Sequence, residues 1–297
     1  SSSSAASDVY KRQRKITETV RLELEKSGIG IYDYELIGDR LENLEYKSIY
    51  LDKEKVNAYI KQKISRGTEK VFARDIVENI KCVKNNVEIR NHRKAQLKDS
   101  IAMTKFMFWL ENTVRERPTT ELEVVEKLED FRRRAGTYIE PSFHTIAAYK
   151  DHGAIVHYSP KESTNYDISR EGILLIDSGG QYLEGTTDIT RTISLGRVTS
   201  EQKLDYTLVL KGHIGLAETV FPKGTTGCKI DAIARLPLWS YGKNYGHGTG
   251  HGIGNLLSVH EGPQSISPRC NGVELKDGML ITCLLYTSDA ADEEDSV

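Results

Sequence analysis

The sequence has little of several residue types that mark particular protein classes. It contains four cysteines, three methionines and two tryptophans in 297 residues, and its formal net charge is −2. Basic and acidic residues are interspersed, so the chain lacks the basic patch expected of a protein that binds nucleic acid. It also has no run of about 18 apolar residues, which a transmembrane helix would need. The composition therefore predicts a globular protein whose partners are neither nucleic acid nor membrane.

The cysteines show no paired spacing. Cys82, Cys228 and Cys270 are isolated from one another, and Cys283 stands close to the C-terminal end. This distribution argues against a disulfide framework and favours a reducing compartment, which predicts a cytoplasmic location. None of the first three lies in a histidine-rich or glycine-rich context, so we expect buried or incidental thiols.

The two ends of the chain are related at the level of DNA. Residues 3–13 and 283–293 can be encoded by opposite strands of one oligonucleotide, read one base out of phase. This complementarity resembles a sequencing-library adapter on both sides of an insert, and such segments are excluded from fold reasoning. We therefore predict that residues 1–13 and 283–297 are adapter-derived artefacts. The alternative is a disordered Ser/Ala tail and an acidic tail.

Residues 14–85 have the pattern of a partial α/β domain. Apolar periodicity and β-branched or aromatic runs predict these elements. They are a helix over 16–26, a strand over 48–51, a helix over 53–64 and a strand near 70–72.

Residues 86–282 have the pattern of an α+β domain with an antiparallel sheet. A long apolar-periodic segment predicts one helix from about Ile89 to Val114, ending before Pro118. Capping-box sequences at Thr120 and Thr199 predict two further helices. The predicted strands cover 145–149, 154–158, 173–177 and 188–195. Helices on either side of a block of strands, without strict alternation, favour this fold class.

Two aspartates are the first candidates for chemistry. Asp177 ends an apolar run, and Ser178 with two glycines follows it, so the chain should fold back and bring Asp188 close. Two adjacent carboxylates repel each other unless cations lie between them. A divalent metal pair would resolve that conflict. Taken singly, each aspartate is also explained by a turn or by hydrogen bonds to backbone amides.

The histidines are the second group of candidates. His247 and His251 lie in a segment with four glycines in eight residues, which disfavours a helix and permits close backbone packing. A carboxylate-rich site with one imidazole suits manganese or cobalt somewhat better than structural zinc. His260, and His157 at the end of an apolar run, are candidates to contact substrate. Each histidine alone could equally be an ordinary core or surface residue.

Together these motifs resemble the Xaa-Pro aminopeptidases (aminopeptidase P) of the pita-bread metallopeptidase family. The resemblance is carried by the segments around Asp177 to Asp188, His247-Gly-Thr-Gly-His251 and Val259-His260-Glu-Gly-Pro263. It implies an incomplete pita-bread domain over 86–282. It also implies that residues 14–85 are the remnant of a creatinase-like domain of the long, three-domain form.

The resemblance also implies a mechanism and a site. Two divalent metal ions, most often Mn²⁺ with Co²⁺ or Zn²⁺ as alternatives, would be held by two Asp, one His and two Glu. Asp177, Asp188 and His251 match the first three of these ligands. A hydroxide that bridges the metals would cleave the bond before proline in peptides with proline at the second position. His260, His157 and His247 match the active-site histidines, and the family makes a homodimer possible.

The chain departs from the family pattern after Thr282. The family continues there with Asn-Glu-Pro-Gly and later supplies a second Glu, whereas this chain continues with Cys283. Without the two Glu ligands, we expect poor metal binding and an inactive fragment of an active parent enzyme. His144 also stands where Asp is common in the family.

Two other functions compete with the aminopeptidase hypothesis. A non-catalytic pita-bread module that binds peptides would be expected to have lost its metal ligands, whereas three are present here. A hydrolase of the prolidase or creatinase type would share the ligands, and the His-Gly-Thr-Gly-His and Val-His-Glu-Gly-Pro motifs favour aminopeptidase P over it.

Overall fold

The computed structural model describes residues 8–10, 16–155 and 157–283. The chain divides into two compact units, residues 1–77 and 78–297. Within the described ranges, no helix combines the length and the apolar character needed to cross a membrane.

The described residues of the first unit, 8–10 and 16–77, form three helices and two pairs of parallel strands. Its elements are β1 (Asp8–Tyr10), α1 (Glu18–Lys26), β2 (Gly30–Tyr32), a 3-10 turn (Tyr34–Leu36), α2 (Ile37–Glu42), β3 (Ser48–Leu51), α3 (Ala58–Lys63) and β4 (Glu69–Phe72). β1 pairs with β2, and β3 pairs with β4. β1 lies inside the segment predicted to be adapter-derived, and the origin of that segment stays a prediction.

The helix predicted over 53–64 begins later than expected. The backbone amide of Glu54 donates to the Asp52 carboxylate, which closes a turn where the helix was expected to start. The Asn57 side chain then accepts from the amide of Ile60 and caps α3. The polar residues before Ala58 therefore form the approach to the helix.

The second unit surrounds short antiparallel strands with long helices. After α4 (Ile76–Lys81), which lies across the boundary between the units, its elements follow in chain order. They are α5 (Asn86–Glu116), β5 (Thr119–Thr120), α6 (Glu121–Arg133), β6 (Tyr138–Pro141), β7 (Ile146–Tyr149), a 3-10 turn (Lys150–Ala154), β8 (Asp167–Ile168), β9 (Ile173–Ser178), β10 (Gly180–Tyr182), β11 (Gly185–Thr186), β12 (Ile189–Ser194), α7 (Ser200–Ala217), α8 (Gly227–Trp239), β13 (Gly250–His251) and β14 (Ser265–Ile266).

The long helices begin and end where local sequence predicts. Asn85 and Glu88 form a reciprocal capping box at the start of α5, and α5 ends at Glu116, just before the Arg117-Pro118 pair. Thr199 forms a second capping box at the start of α7. Local chemistry alone therefore fixes these ends.

The central sheet has the order β12-β9-β7 and is antiparallel throughout. β9 is the middle strand, and its apolar run is buried as the sequence predicts. Side chains of α5 and α6 pack with this sheet in the main core. That core contains Met103, Phe106, Leu110, Val114, Val124, Leu128, Ala147, Tyr149, Ile168, Leu174, Ile176, Ile189 and Leu195. The predicted α+β class with an antiparallel sheet is confirmed.

The strand predicted over 154–158 is wrong for the residues that the structure describes there. Ala154 ends a 3-10 turn and His157 has a left-handed φ of 56°, while Val156 lies outside the described residues. The cause is His152, whose buried ring stacks on Tyr158 with 4.2 Å between centroids. The chain folds around this ring, so the apolar run cannot extend.

The expectation of unpaired cysteines is also wrong. Cys228, in the first turn of α8, forms a disulfide with Cys270, with 5.2 Å between their Cα atoms. The two residues are 42 positions apart, so no local spacing reveals the pair. They meet because the start of α8 packs against β14, where a Cβ on Gly227 would lie 1.8 Å from the carbonyl oxygen of Ser265. The argument for a reducing compartment loses its basis.

Two phenylalanines on α5 provide a matched test of the core. Phe106 is 0% exposed, whereas Phe108 is 71% exposed. We expect Phe106→Ala to lower the free energy of unfolding by about 3–5 kcal/mol, because it leaves a cavity beside the sheet. Phe108→Ala should change it by less than about 0.5 kcal/mol. Urea denaturation followed by circular dichroism measures both, and equal losses would contradict this packing.

Candidate metal centre

The β9–β12 ladder brings the two candidate aspartates together. Asp177 lies at the end of β9, directly opposite Thr190 on β12, and the Thr190 hydroxyl donates to its carboxylate at 2.7 Å. Asp188 immediately precedes β12, two residues before Thr190. Since side chains alternate along a strand, Asp188 and Thr190 share the face that Asp177 uses. The prediction that the chain returns Asp188 to Asp177 agrees with this register.

The two carboxylates are buried, and their charges conflict. Burial and the neighbouring charge of Asp188 raise the pKa of Asp177 from 3.8 to about 7, while the Thr190 hydrogen bond and His251 act to lower it. The Asp188 side chain is 2% exposed, and its Oδ1 atom has no hydrogen-bond partner among the described residues. Such an oxygen is costly to bury unless a cation or donor faces it.

His251 faces Asp188 from another part of the chain. It lies on β13, which pairs with β14, and its Nε2 atom is 3.3 Å from Oδ2 of Asp188. Its Nδ1 atom lies 2.9 Å from the carbonyl oxygen of Gly252. A proton on Nδ1 would donate to that carbonyl, leaving the Nε2 lone pair directed at Asp188 or a shared cation.

The glycines beside His251 permit close packing. A Cβ at Gly250 would lie 2.0 Å from the carbonyl oxygen of Thr282, and one at Gly252 would lie 2.1 Å from that of Glu261. The amide of Thr282 also donates to the carbonyl of His251 at 2.8 Å. The glycines therefore let the backbone pack closely on both sides of His251, as the sequence predicts.

His260 and His157 lie on the same side as His251. The ring of His260 packs edge-on against that of His251, with 4.2 Å between centroids. Burial lowers the pKa of His260, His251 and His157 lower it further, and Asp188 acts to raise it. His260, His251, His157 and Asp188 are therefore close enough to interact electrostatically, and the net effect of burial and these neighbours lowers the pKa of His260 below its usual value.

His247 lies at the start of the loop that leads to His251. Its ring packs against Tyr245 at 4.8 Å between centroids, and its Nδ1 atom is 2.8 Å from the carbonyl oxygen of Gly248. His144, the departure noted in the sequence, is exposed on the connection between β6 and β7. Nothing in the structure explains it.

The sequence analysis missed an ion pair on α8 that supports the His247–His251 loop. Asp231 and Arg235 are buried and lie four residues apart. Arg235 donates to the carbonyl oxygens of Tyr245 and His247 at 2.7 and 2.8 Å, and Asp231 accepts from the Thr249 hydroxyl at 2.5 Å. Opposite charges four residues apart in an apolar segment were the available signal.

Two further buried carboxylates were missed, each beside a candidate histidine. Glu121 accepts from the Tyr158 hydroxyl at 2.8 Å and lies 2.8 Å from Nδ1 of His152. His152 and Tyr158 precede and follow His157 in the chain. Glu261, which follows His260, pairs with Lys84 at 3.0 Å. Burial acts to raise the pKa of Glu261, but hydrogen bonds from its lysine partners outweigh it and lower the pKa. No local sequence motif indicates the partners of Glu121 or Glu261.

The donor set suits a divalent cation, although it is incomplete. Among the described residues, no group of three or more His, Cys, Asp or Glu side chains is arranged to hold a metal ion. Asp188 and His251 nevertheless converge, and burial with the neighbouring Asp188 charge raises the pKa of Asp177. Carboxylate oxygens and imidazole are ligands for Mn, Co and Zn, so these residues have the chemistry of a metal site. Asp188 also lines a cavity of about 970 Å³.

The raised pKa of Asp177 predicts how stability depends on pH without metal. The folded state holds a proton that the unfolded state releases near pH 4, so stability should fall as pH rises from about 4 through about 7. With a chelator present, Asp177→Asn should therefore melt at a higher temperature than the unsubstituted chain at pH 8. The difference should disappear below pH 4. Asp167→Asn, at an exposed position, is the control, and equal shifts in the two variants would contradict the assignment.

The chain is similar to known proteins along most of its length. Residues 90–294 match the model of metallopeptidase family M24, and residues 3–88 match the creatinase/prolidase N-terminal domain. Xaa-Pro aminopeptidase 1 of Dictyostelium discoideum is 40% identical over 279 residues, which cover 91% of this chain and 44% of that protein. The chain thus spans less than half the length of this curated relative.

Solved structures show the same fold. The X-prolyl aminopeptidase of Caenorhabditis elegans, described as a cytosolic enzyme with a di-nuclear active site, has a TM-score of 0.86 and 36% identity, covering 93% of this chain and 46% of that one. The X-Pro aminopeptidase of Thermotoga maritima has a TM-score of 0.71 and 26% identity, covering 93% and 74%. The second unit is thus a pita-bread domain, preceded by a creatinase-like one. Because the family model matches more than half of its residues, this chain belongs to metallopeptidase family M24.

Proposed function

We propose that this chain carries the metal-binding part of an aminopeptidase that hydrolyses the bond between an N-terminal residue and proline. The observation that carries the proposal is the convergence of Asp177, Asp188 and His251, with a buried Asp188 oxygen that has no donor among the described residues. The similarity to enzymes named Xaa-Pro aminopeptidase supports the reaction class.

Asp177, Asp188 and His251 are the residues that would hold the metal. We propose two divalent ions, because the similar worm enzyme is described as di-nuclear, and manganese as their first candidate. Such ions, when bound, polarise a carbonyl group and make water a nucleophile near neutral pH. Of the other ligands that the family resemblance implies, none is assigned to a described residue, so we expect this chain to bind metal weakly and to be inactive.

His260 and His157 are proposed to contact the peptide. A neutral His260 can donate a hydrogen bond to a carbonyl oxygen that gains negative charge during hydrolysis. His157 has a left-handed backbone, which is uncommon for a residue other than glycine. His247, beside the same loop, is proposed as a further active-site histidine. The cavity next to Asp188 has a volume typical of small-ligand sites.

The other parts of the proposal concern the whole protein. We propose peptides with proline at the second position as its substrates and a homodimer as a possible assembly. The cytoplasm is proposed as its location because the similar worm enzyme is described as cytosolic. The peptide-binding module without catalysis is the weaker alternative, because a binding role gives no reason to keep two buried carboxylates facing an imidazole.

Metal binding is the direct test on this chain. Titration calorimetry with Mn²⁺ should show weak but saturable binding, and Asp188→Asn should bring the binding below detection, because the loss of a ligand exceeds the roughly 10–100-fold effects of supporting residues. Asp167→Asn is the matched control and should bind like the unsubstituted chain. Equal affinity in all three proteins would contradict the proposed ligands.

The source gene tests the reaction. We expect the codons after Thr282 to encode Asn-Glu-Pro-Gly, as the family resemblance implies, and the protein made from that gene to cleave Arg-Pro-Pro but not Arg-Ala-Pro. Activity should need Mn²⁺ and disappear with a chelator. A gene that continues as Cys-Leu-Leu-Tyr would instead favour the non-catalytic module, and cleavage of Xaa-Pro dipeptides alone would favour prolidase.

A further inference from the structure

A buried ion pair joins the two helices that pack on the central sheet. Nε of Arg132, on α6, lies 2.6 Å from Oδ1 of Asp99 on α5, and neither side chain is more than 1% exposed. Removing both charges from water has a cost that their attraction does not always offset. The pair is not among the candidate metal ligands, so its placement needs another explanation.

The other hydrogen bonds of the pair lead to the residues next to the candidate ligands. Nη2 of Arg132 donates to Oγ of Ser178, the residue after Asp177, at 3.0 Å. The hydroxyl of Thr187, the residue before Asp188, donates to Oδ2 of Asp99 at 2.5 Å. Ser178 and Thr187 are both 0% exposed. A single ion pair therefore contacts the direct neighbours of both aspartates.

Further contacts fix the position of Thr187. Its hydroxyl oxygen accepts from the amide of Gly180 at 2.9 Å, and its carbonyl oxygen accepts from the Ser142 hydroxyl at 2.9 Å. A Cβ at Gly179 would lie 2.0 Å from that carbonyl oxygen. The segments that hold the two aspartates are thus packed directly on each other, with the ion pair beside them.

We propose that Asp99 and Arg132 are positioning residues that fix the spacing of the Asp177 and Asp188 carboxylates and so set metal affinity. The proposal rests on the proposed function only for the identity of the ligands. Two carboxylates that share a buried site repel each other. Bonds to Ser178 and Thr187 keep the backbone from moving apart under that repulsion, so the ligands meet a cation without rearrangement.

A purely stabilising role makes a different prediction. Replacing both members of a buried ion pair with apolar residues of similar size is often neutral or favourable for stability. If the pair only stabilised the fold, both of its residues could therefore be replaced without changing the positions of Asp177 and Asp188. A positioning pair could not, because no apolar side chain donates to Ser178 or accepts from Thr187.

The experiment compares four variants of this chain. Asp99→Leu/Arg132→Met removes the pair. Ser178→Ala removes only the contact between Arg132 and Ser178, whereas Thr187→Val removes the contact with Asp99 and also the bond from the Gly180 amide. Both single variants leave the pair whole. Thr113→Val is the control, because this buried α5 residue is 14 positions from Asp99, about 21 Å along a helix. Mn²⁺ titration calorimetry gives the affinity, and amide hydrogen exchange with a chelator present gives the local order. Thermal unfolding gives the stability.

We expect the Mn²⁺ dissociation constant to rise about 10–100-fold in the double variant and by a smaller factor in each single variant. Amide exchange at residues 178, 179, 187 and 188 should accelerate about 10-fold or more, while Thr113→Val changes neither the affinity nor the exchange. The Gly180 amide is left out of this comparison, because it bonds directly to the Thr187 hydroxyl. If the double variant does not fold, the amide exchange and the Mn²⁺ affinity of Ser178→Ala and Thr187→Val test the proposal.

Unchanged hydrogen exchange at these amides in the variants would overturn the positioning role, whether or not the Mn²⁺ affinity changes. The positioning role would also be overturned if, across the variants, the Mn²⁺ affinity fell only in proportion to the melting temperature. If the unsubstituted chain binds no Mn²⁺ while exchange accelerates as expected, the proposed metal function fails and the positioning role stands. The two failures are therefore distinguishable.

Discussion

The second unit depends on buried carboxylates that either follow a candidate site residue in the chain or bond to the residues around it. They come from four places in the chain, and each is paired with a basic side chain or a histidine. The carboxylates are Asp99 for Asp177 and Asp188, Glu121 for His157, Asp231 for His247 and His251, and Glu261 for His260. Burying a carboxylate without a partner costs free energy. The folded state therefore keeps each pair, and the segments that the pair contacts, in a single conformation.

This arrangement explains how short strands and irregular loops can hold a site. β13 is only two residues long, and the segment around His260 has no regular structure. Backbone ladders are therefore too short to fix the histidines. Glycines let these loops lie against Thr282 and Glu261, and the ion pairs then determine the direction of the chain. Within the site, burial and the neighbouring Asp188 charge raise the pKa of Asp177, whereas each surrounding carboxylate has a basic or histidine partner.

Local chemistry explains why much of the fold could be predicted and some of it could not. The ends of α5 and α7 follow from capping residues and a proline, and β9 follows from its apolar run, because these depend on nearby residues only. The predicted strand at 154–158 failed because a buried histidine, which no periodicity reveals, bends the chain. α8 and the Cys228–Cys270 disulfide were missed because both depend on packing between distant segments.

The residue types of the candidate centre and their order can be read without coordinates, since two aspartates stand at strand ends and histidines stand among glycines. The α+β class can also be read from the sequence, because helical patterns lie on either side of a block of strands without strict alternation. Which charged residues support the site depends on the tertiary structure. Asp99 and Arg132 are 33 positions apart, and Arg132 reaches Ser178 across a further 46. Pairing over such separations is set by how helices pack on the sheet, and no local pattern encodes it.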